Sequence, residues 1–231
     1  MARLATGDIW QATIASLRPR LGELIAVAAP FTLFVDMVVT MFGPAPPTTV
    51  AGLTPRTLLI LAIIPGLIGG IAQLAVARLV AQPDEAPRLA LGAALAAMPF
   101  YVGAVLLAAL PTGLGFLLFI LPGLYLTARL FLVVPIAAIE RPGIFPTIER
   151  SWKMTAGQGW PILLFLVLMV LFLLGLSVLA SGVGAALGSV LTVIGLKAVG
   201  GFVAALVAAT VAMLASIGTA AAATVIYLKL R

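Results

Sequence analysis

Long runs of apolar residues, separated by short stretches of turn residues and charges, make up most of this 231-residue chain. A helix needs about twenty apolar residues to cross the hydrocarbon core of a bilayer. The runs therefore predict six membrane-spanning helices, at residues 21–42, 57–80, 89–110, 114–139, 160–181 and 198–228. Because the runs are continuous rather than alternating, they exclude a transmembrane β-barrel, whose strands alternate apolar and polar positions.

Proline and glycine mark the predicted breaks between these spans. Residues 43–47 read Gly-Pro-Ala-Pro-Pro, and Pro111-Thr112-Gly113 predicts a tight reversal between the third and fourth spans. Residues 182–197 are apolar but rich in glycine, so they predict a short interfacial or re-entrant helix before the last span.

Two further segments have an amphipathic pattern and are too short to span. The first covers residues 8–18, with Asp8 as the expected N-cap and Gln11 completing a capping box. The second covers residues 145–156 and carries Glu149, Arg150 and Lys153 on one face. We expect both helices to lie in the headgroup plane on the cytoplasmic side.

Composition supports a single all-α integral membrane domain over residues 1–231. The chain is 63% hydrophobic and 9% charged, whereas a soluble domain carries about 25% charged residues. It contains no cysteine and no histidine, which removes thiolate nucleophiles, imidazole bases and the commonest metal ligands. We expect no enzymatic activity, no cofactor and no metal.

The basic residues indicate how the chain is oriented in the membrane. Of the 13 lysines and arginines, two, Arg56 and Lys197, fall on one side of the predicted spans. Most of the rest fall on the opposite side: Arg3, Arg18, Arg20, Arg78, Arg88, Arg141, Arg150, Lys153, Lys229 and Arg231. The positive-inside rule then places both termini in the cytoplasm. Basic residues scattered singly in this way predict no nucleic-acid partner.

The last span carries small residues at spacings of three and four. This stripe is formed by Gly201, Ala205, Ala208, Ala212, Ala215, Thr219 and Ala222. Small residues allow the close backbone approach that holds helices together in lipid. The stripe predicts a contact with another span, a second copy or a partner membrane subunit.

Ionisable residues within spans are costly, so each is a candidate functional residue. Asp36 lies in the first span, where it could be a proton or cation site or could cap a broken helix. Arg129 lies in the fourth span, where it could bind an anion or a lipid phosphate or reach the interface with its long side chain. Tyr125 is one helical turn from Arg129 on the same face and could share its pocket.

Three other polar residues complete the candidates. Gln73 is expected either to line a polar cavity or to join helices by a hydrogen bond. Arg150 and Lys153 could bind anionic headgroups or act only as determinants of orientation.

One region resembles a known family. Its residues are Pro122-Gly123, Tyr125 and Arg129 in one span, then Arg150-Ser151-Trp152 in the amphipathic helix and Gly159-Trp160 at the next span. This pattern is similar to the YciC-like family of six-span bacterial inner-membrane proteins, related to the membrane domain of some glycerophosphoryl diester phosphodiesterases. The resemblance implies an inner-membrane location and a loose link to lipids. Nothing in the chain corresponds to the soluble phosphodiesterase domain.

Two functions remain open on the sequence. The first is a non-enzymatic membrane protein that binds or organises lipids, or serves as a subunit of a membrane complex. The second is a small transporter or substrate-binding subunit, in which Asp36, Gln73 and Arg129 would line one central cavity.

Overall fold

Long apolar segments determine the fold, because backbone groups in lipid must pair within their own helix. A computed structural model describes residues 5–49 and 52–231, which contain helices and no strand; Arg3 lies outside the described residues. The helices are α1 Thr6–Leu17, α2 Leu21–Ala28, α3 Leu33–Phe42, α4 Pro55–Leu58, α5 Ile64–Ala81, α6 Pro87–Leu118, α7 Ile120–Arg129, α8 Val133–Ile139, α9 Ile144–Met154, α10 Gly159–Val193 and α11 Lys197–Leu230. A 3-10 turn joins α1 to α2, and a π-helical turn joins α4 to α5.

The structure confirms an all-α polytopic bundle. Within residues 5–49 and 52–231, five helical segments are long and apolar enough to cross a membrane: Pro55–Ala81, Pro87–Leu118, Ile120–Ile139, Gly159–Val193 and Lys197–Leu230. The first predicted span is broken instead. Its two parts, ending at Ala28 and beginning at Leu33, meet at a bend of 43° and pass the same test together.

The predicted reversal at Pro111-Thr112-Gly113 is wrong. Helix α6 continues through Pro111 to Leu118, and the chain turns at the extended residue Phe119. A proline is tolerated inside a spanning helix when neighbouring groups satisfy the backbone that it frees. Gly115 allows α6 to pack closely on α7, since a Cβ on Gly115 would lie 3.0 Å from the Cα of Gly123 in α7.

The prediction of an interfacial or re-entrant helix at residues 182–197 is also wrong. Helix α10 continues to Val193, and the chain reverses at residues 194–196, where Gly195 has a φ of 86°. Two of the glycines that suggested a break, Gly184 and Gly188, lie instead where α10 meets α11. A Cβ on Gly200 would lie 2.6 Å from the carbonyl oxygen of Gly188. At 1.5 Å per residue this antiparallel hairpin is roughly 50 Å long, so it exceeds the roughly 30 Å hydrocarbon core.

The predicted small-residue stripe on α11 is only partly buried. Ala205 and Ala222 are buried, whereas Gly201, Ala208 and Ala212 are exposed. The face that packs into the protein runs instead through Gly200, Ala209, Met213, Ile217, Ala221 and Thr224. The exposed part of the stripe stays a predicted contact for a partner or second copy.

Both amphipathic helices are present, with changed details. Helix α1 begins at Thr6 with Ala5 as its N-cap, so Asp8 lies in the first turn and the predicted cap at Asp8 is wrong. Helix α9 buries Thr147 and Ser151 and leaves its charged residues exposed.

Two of the arginines counted for orientation also hold the loop between α5 and α6. Arg78 Nε lies 2.7 Å from Glu85 Oε2, and Arg78 Nη1 donates to the carbonyl of Ala138 at 3.3 Å. Arg20 Nη2 donates to the carbonyl of Glu85 at 2.9 Å. These residues therefore fix the fold as well as the charge balance.

Candidate functional site

The site begins at a break in the span formed by α7 and α8. Residues 130–132 leave the helical pattern, so the carbonyl of Arg129 loses the helical partner it would have in a continuous span. That carbonyl accepts a hydrogen bond from Ser151 Oγ at 2.9 Å. The Thr155 hydroxyl lies 3.1 Å from the same carbonyl and 2.8 Å from the carbonyl of Ser151, so its one proton is shared between these two acceptors. A buried carbonyl without hydrogen-bond partners costs free energy. The hydroxyl groups of Ser151 and Thr155 therefore stabilise the break.

The Arg129 side chain is buried beside α9, with 6% of its surface exposed. Its Nη2 donates to the carbonyl of Trp152 at 2.7 Å, and its Cζ lies 4.3 Å from the centroid of the Trp152 ring, a cation–π contact. Arg129 Nε is the one buried side-chain nitrogen or oxygen in residues 5–49 and 52–231 without a hydrogen-bond partner.

Tyr125 and the start of α10 form the other wall. The rings of Tyr125 and Trp160 are 5.8 Å apart between centroids. A Cβ on Gly159 would lie 2.9 Å from Tyr125 Cε2 and 3.3 Å from Arg129 Cδ, so only glycine fits there without displacing the site. We call Tyr125, Arg129, Trp152, Gly159 and Trp160 the arginine site.

Arg150 and Lys153 do not join this site. Arg150 Nε lies 3.3 Å from Glu140 Oε2, and Lys153 forms an ion pair with Glu149 one turn away. The hydrogen bond and positive charge of Lys153 lower the pKa of the exposed Glu149 carboxyl. Both basic residues thus lie on the exposed face of α9, and each is paired with a carboxylate.

Asp36 and Gln73 lie elsewhere. Asp36 is in the first turn of α3, just after the break in the first span, where the positive end of the helix dipole favours a carboxylate. Gln73 lines a cavity of about 320 Å³ among α5, α6, α7, α8 and α11. Neither Asp36 nor Arg129 lines that cavity, so the three residues expected to share one central cavity are apart.

The sequence did not lead us to predict the row of buried hydroxyl groups on one face of α9. Thr147, Ser151 and Thr155 recur every fourth residue and are fully buried. The available signal was their spacing, opposite the charged residues of the same helix.

The comparisons with known proteins support the resemblance. The family model of the membrane domain of glycerophosphoryl diester phosphodiesterase matches residues 96–231. This region includes α7 to α11 and all of the arginine site. The search of curated proteins and the search of solved structures each found no match.

Proposed function

The chain belongs to the family of the membrane domain of glycerophosphoryl diester phosphodiesterase, and we propose that it is a non-enzymatic inner-membrane protein that binds phospholipid at the arginine site. In this proposal it is a multi-pass bacterial protein with both termini in the cytoplasm. The distribution of lysine and arginine supports the orientation. Phosphodiesterase activity is no part of the proposal.

The observation that carries the proposal is a buried guanidinium without a countercharge. None of the four ion pairs in the described part of the chain includes Arg129. A buried charge without a partner costs several kcal/mol, and the Trp152 carbonyl and ring offset only part of that cost. An anion from outside the chain would supply the rest, and lipid phosphate is the anion that a membrane provides in quantity.

The surroundings of the site suit a phosphate. Arginine binds phosphate through planar N–H groups, and Arg129 Nε is a donor with no protein acceptor. The Tyr125 hydroxyl, next to Gly159, could donate a second hydrogen bond. Trp152 and Trp160, the two tryptophans of the site, are 42% and 66% exposed, so both reach the surface, as aromatic rings at headgroup level do.

We expect Arg129→Gln to reduce retained phosphatidylglycerol by roughly tenfold, because charge-assisted hydrogen bonds contribute about 1.5–3 kcal/mol. Native mass spectrometry of the full-length protein, purified in detergent with added phosphatidylglycerol, would measure the bound lipid. Arg150→Gln removes an equal charge from the exposed face of α9 and is the matched control.

An equal loss in Arg129→Gln and Arg150→Gln would mean that lipid follows net charge and would refute a specific site. Unchanged retention in Arg129→Gln would refute it as well. Arg129→Lys keeps the charge without the planar donors, and we expect it to retain an intermediate amount.

The proposed orientation has its own test. The chain has no cysteine, so a single cysteine reports one position. We expect Ile194→Cys, in the exposed turn between α10 and α11, to react with a membrane-impermeant maleimide on intact spheroplasts. We expect Arg231→Cys to react only after lysis. The opposite pattern would reverse the topology.

A further inference from the structure

The Gln73 cavity is a second site, separated from the arginine site by α7. Thr127 of α7 and Leu130, directly after α7, line it, whereas Arg129, between them in sequence, faces α9. Among the residues that the structure describes, no charged residue lines the cavity. Its walls are mostly aliphatic side chains and the methyl groups of alanines, with four polar side chains among them: Gln73, Thr112, Thr127 and Thr219.

The three threonines present acceptors to the cavity. Thr112, Thr127 and Thr219 each donate their hydroxyl proton to the carbonyl four residues earlier, at 2.8, 2.9 and 2.8 Å. Each oxygen keeps lone pairs that can accept. Within the described residues the Gln73 amide forms no hydrogen bond, so it offers two N–H donors and one carbonyl acceptor.

We propose that this cavity binds the hydroxyl end of an uncharged lipid, such as a diacylglycerol or a long-chain alcohol. A hydroxyl both donates and accepts, which matches three threonine oxygens and one free amide. A charged headgroup would be buried there without a countercharge, at high cost. The aliphatic walls suit the first methylene groups of the ligand.

The cavity also has an entrance from the bilayer. Val105 on α6 lines it and is 39% exposed, and α6 is a membrane-spanning segment. The volume of about 320 Å³ is within the range of roughly 300–1,000 Å³ found for small-molecule sites. It admits the polar end of a lipid while the chains extend past Val105.

Paired probe lipids test the hydroxyl requirement. Full-length protein in phosphatidylcholine nanodiscs would receive 1,2-dioleoylglycerol or trioleoylglycerol, which lacks the hydroxyl, and native mass spectrometry would count the probe retained. We expect the protein to retain roughly fivefold more dioleoylglycerol, the size of one net hydrogen bond. Gln73→Leu should abolish this preference and Thr219→Val should weaken it.

Thr210→Val is the matched control, because its hydroxyl bonds its own helix at Leu206 but does not line the cavity. Equal retention of the two probes by the unmodified protein would overturn the proposal, as would an unchanged preference in Gln73→Leu. If Gln73→Leu does not fold, an unchanged preference in a folded Thr219→Val overturns it instead. Arg129→Gln should leave the preference for dioleoylglycerol unchanged. The proposal for this cavity and the proposal for the phosphate site can therefore be refuted independently.

Discussion

Gly200→Ala is expected to destabilise the protein by about 1–3 kcal/mol, the usual cost of overpacking a close contact, while Gly201→Ala is expected to be neutral or slightly stabilising. A Cβ on Gly200 would lie 2.6 Å from the backbone oxygen of Gly188, which cannot move without separating α10 from α11. A Cβ on Gly201 meets no atom within 4 Å. In lipid this contact matters more than in water, because van der Waals packing rather than the hydrophobic effect drives helix association.

The free energy of unfolding, measured by titration with SDS in mixed micelles, checks this prediction. Both variants gain the same helix propensity, up to about 1 kcal/mol for alanine over glycine. Their difference therefore isolates the contact between the two helices. Equal effects at Gly200 and Gly201 would contradict the close packing of the hairpin.

Replacing Ser151 by alanine together with Thr155 by valine is expected to cost about 2–3 kcal/mol of stability, because it leaves a buried carbonyl without partners. Ser151 Oγ donates to the carbonyl of Arg129 at the break between α7 and α8, and Thr155 Oγ1 lies within hydrogen-bond distance of that carbonyl and of the Ser151 carbonyl. Valine keeps the shape of threonine, so the change removes hydrogen bonds with little change in volume. We also expect Arg129 to lose its position and retained phosphatidylglycerol to fall.

The control pair is Ser181→Ala with Thr210→Val. These hydroxyls donate only to carbonyls of their own helices, so we expect a change within about 0.5 kcal/mol. The same SDS titration compares the two double variants. A loss of stability as large in the control pair would show that the effect belongs to hydroxyls in general.

An all-α bundle of apolar helices could be predicted from the sequence, because the length of an apolar helix that crosses a bilayer follows from the bilayer thickness and the rise per residue. The turns could not, because proline and glycine have two roles in a membrane helix. In a water-soluble chain they mark a break. Here Pro111 lies inside α6, and Gly184 and Gly188 lie where α10 packs on α11.

The arginine site was predictable in part. Tyr125 and Arg129 are four residues apart on one helix, so their shared face follows from helix geometry alone, and the structure confirms that they lie together against Gly159. The role of Ser151 could not be predicted. It depends on a helix break at residues 130–132, and these residues include no proline or glycine that would predict a break.

The candidate residues that lie apart in the structure share only nearness in sequence or a polar character within the spans. Arg150 and Lys153 are close to Ser151 in sequence but on the opposite face of α9, paired with Glu140 and Glu149. Asp36 and Gln73 share a polar character but not a cavity. Charge and depth alone do not say which helix faces meet.

In the proposed function, the Arg129 guanidinium contacts a lipid phosphate. Solid-state NMR dephasing between ¹⁵N-labelled arginine side chains and ³¹P of phosphatidylglycerol in proteoliposomes measures that contact directly. We predict a dephased guanidinium signal, within about 5 Å of phosphorus as expected for an arginine–phosphate pair, that disappears in Arg129→Gln and persists in Arg150→Gln. A spectrum in which no dephased signal is lost with Arg129 would contradict the proposal.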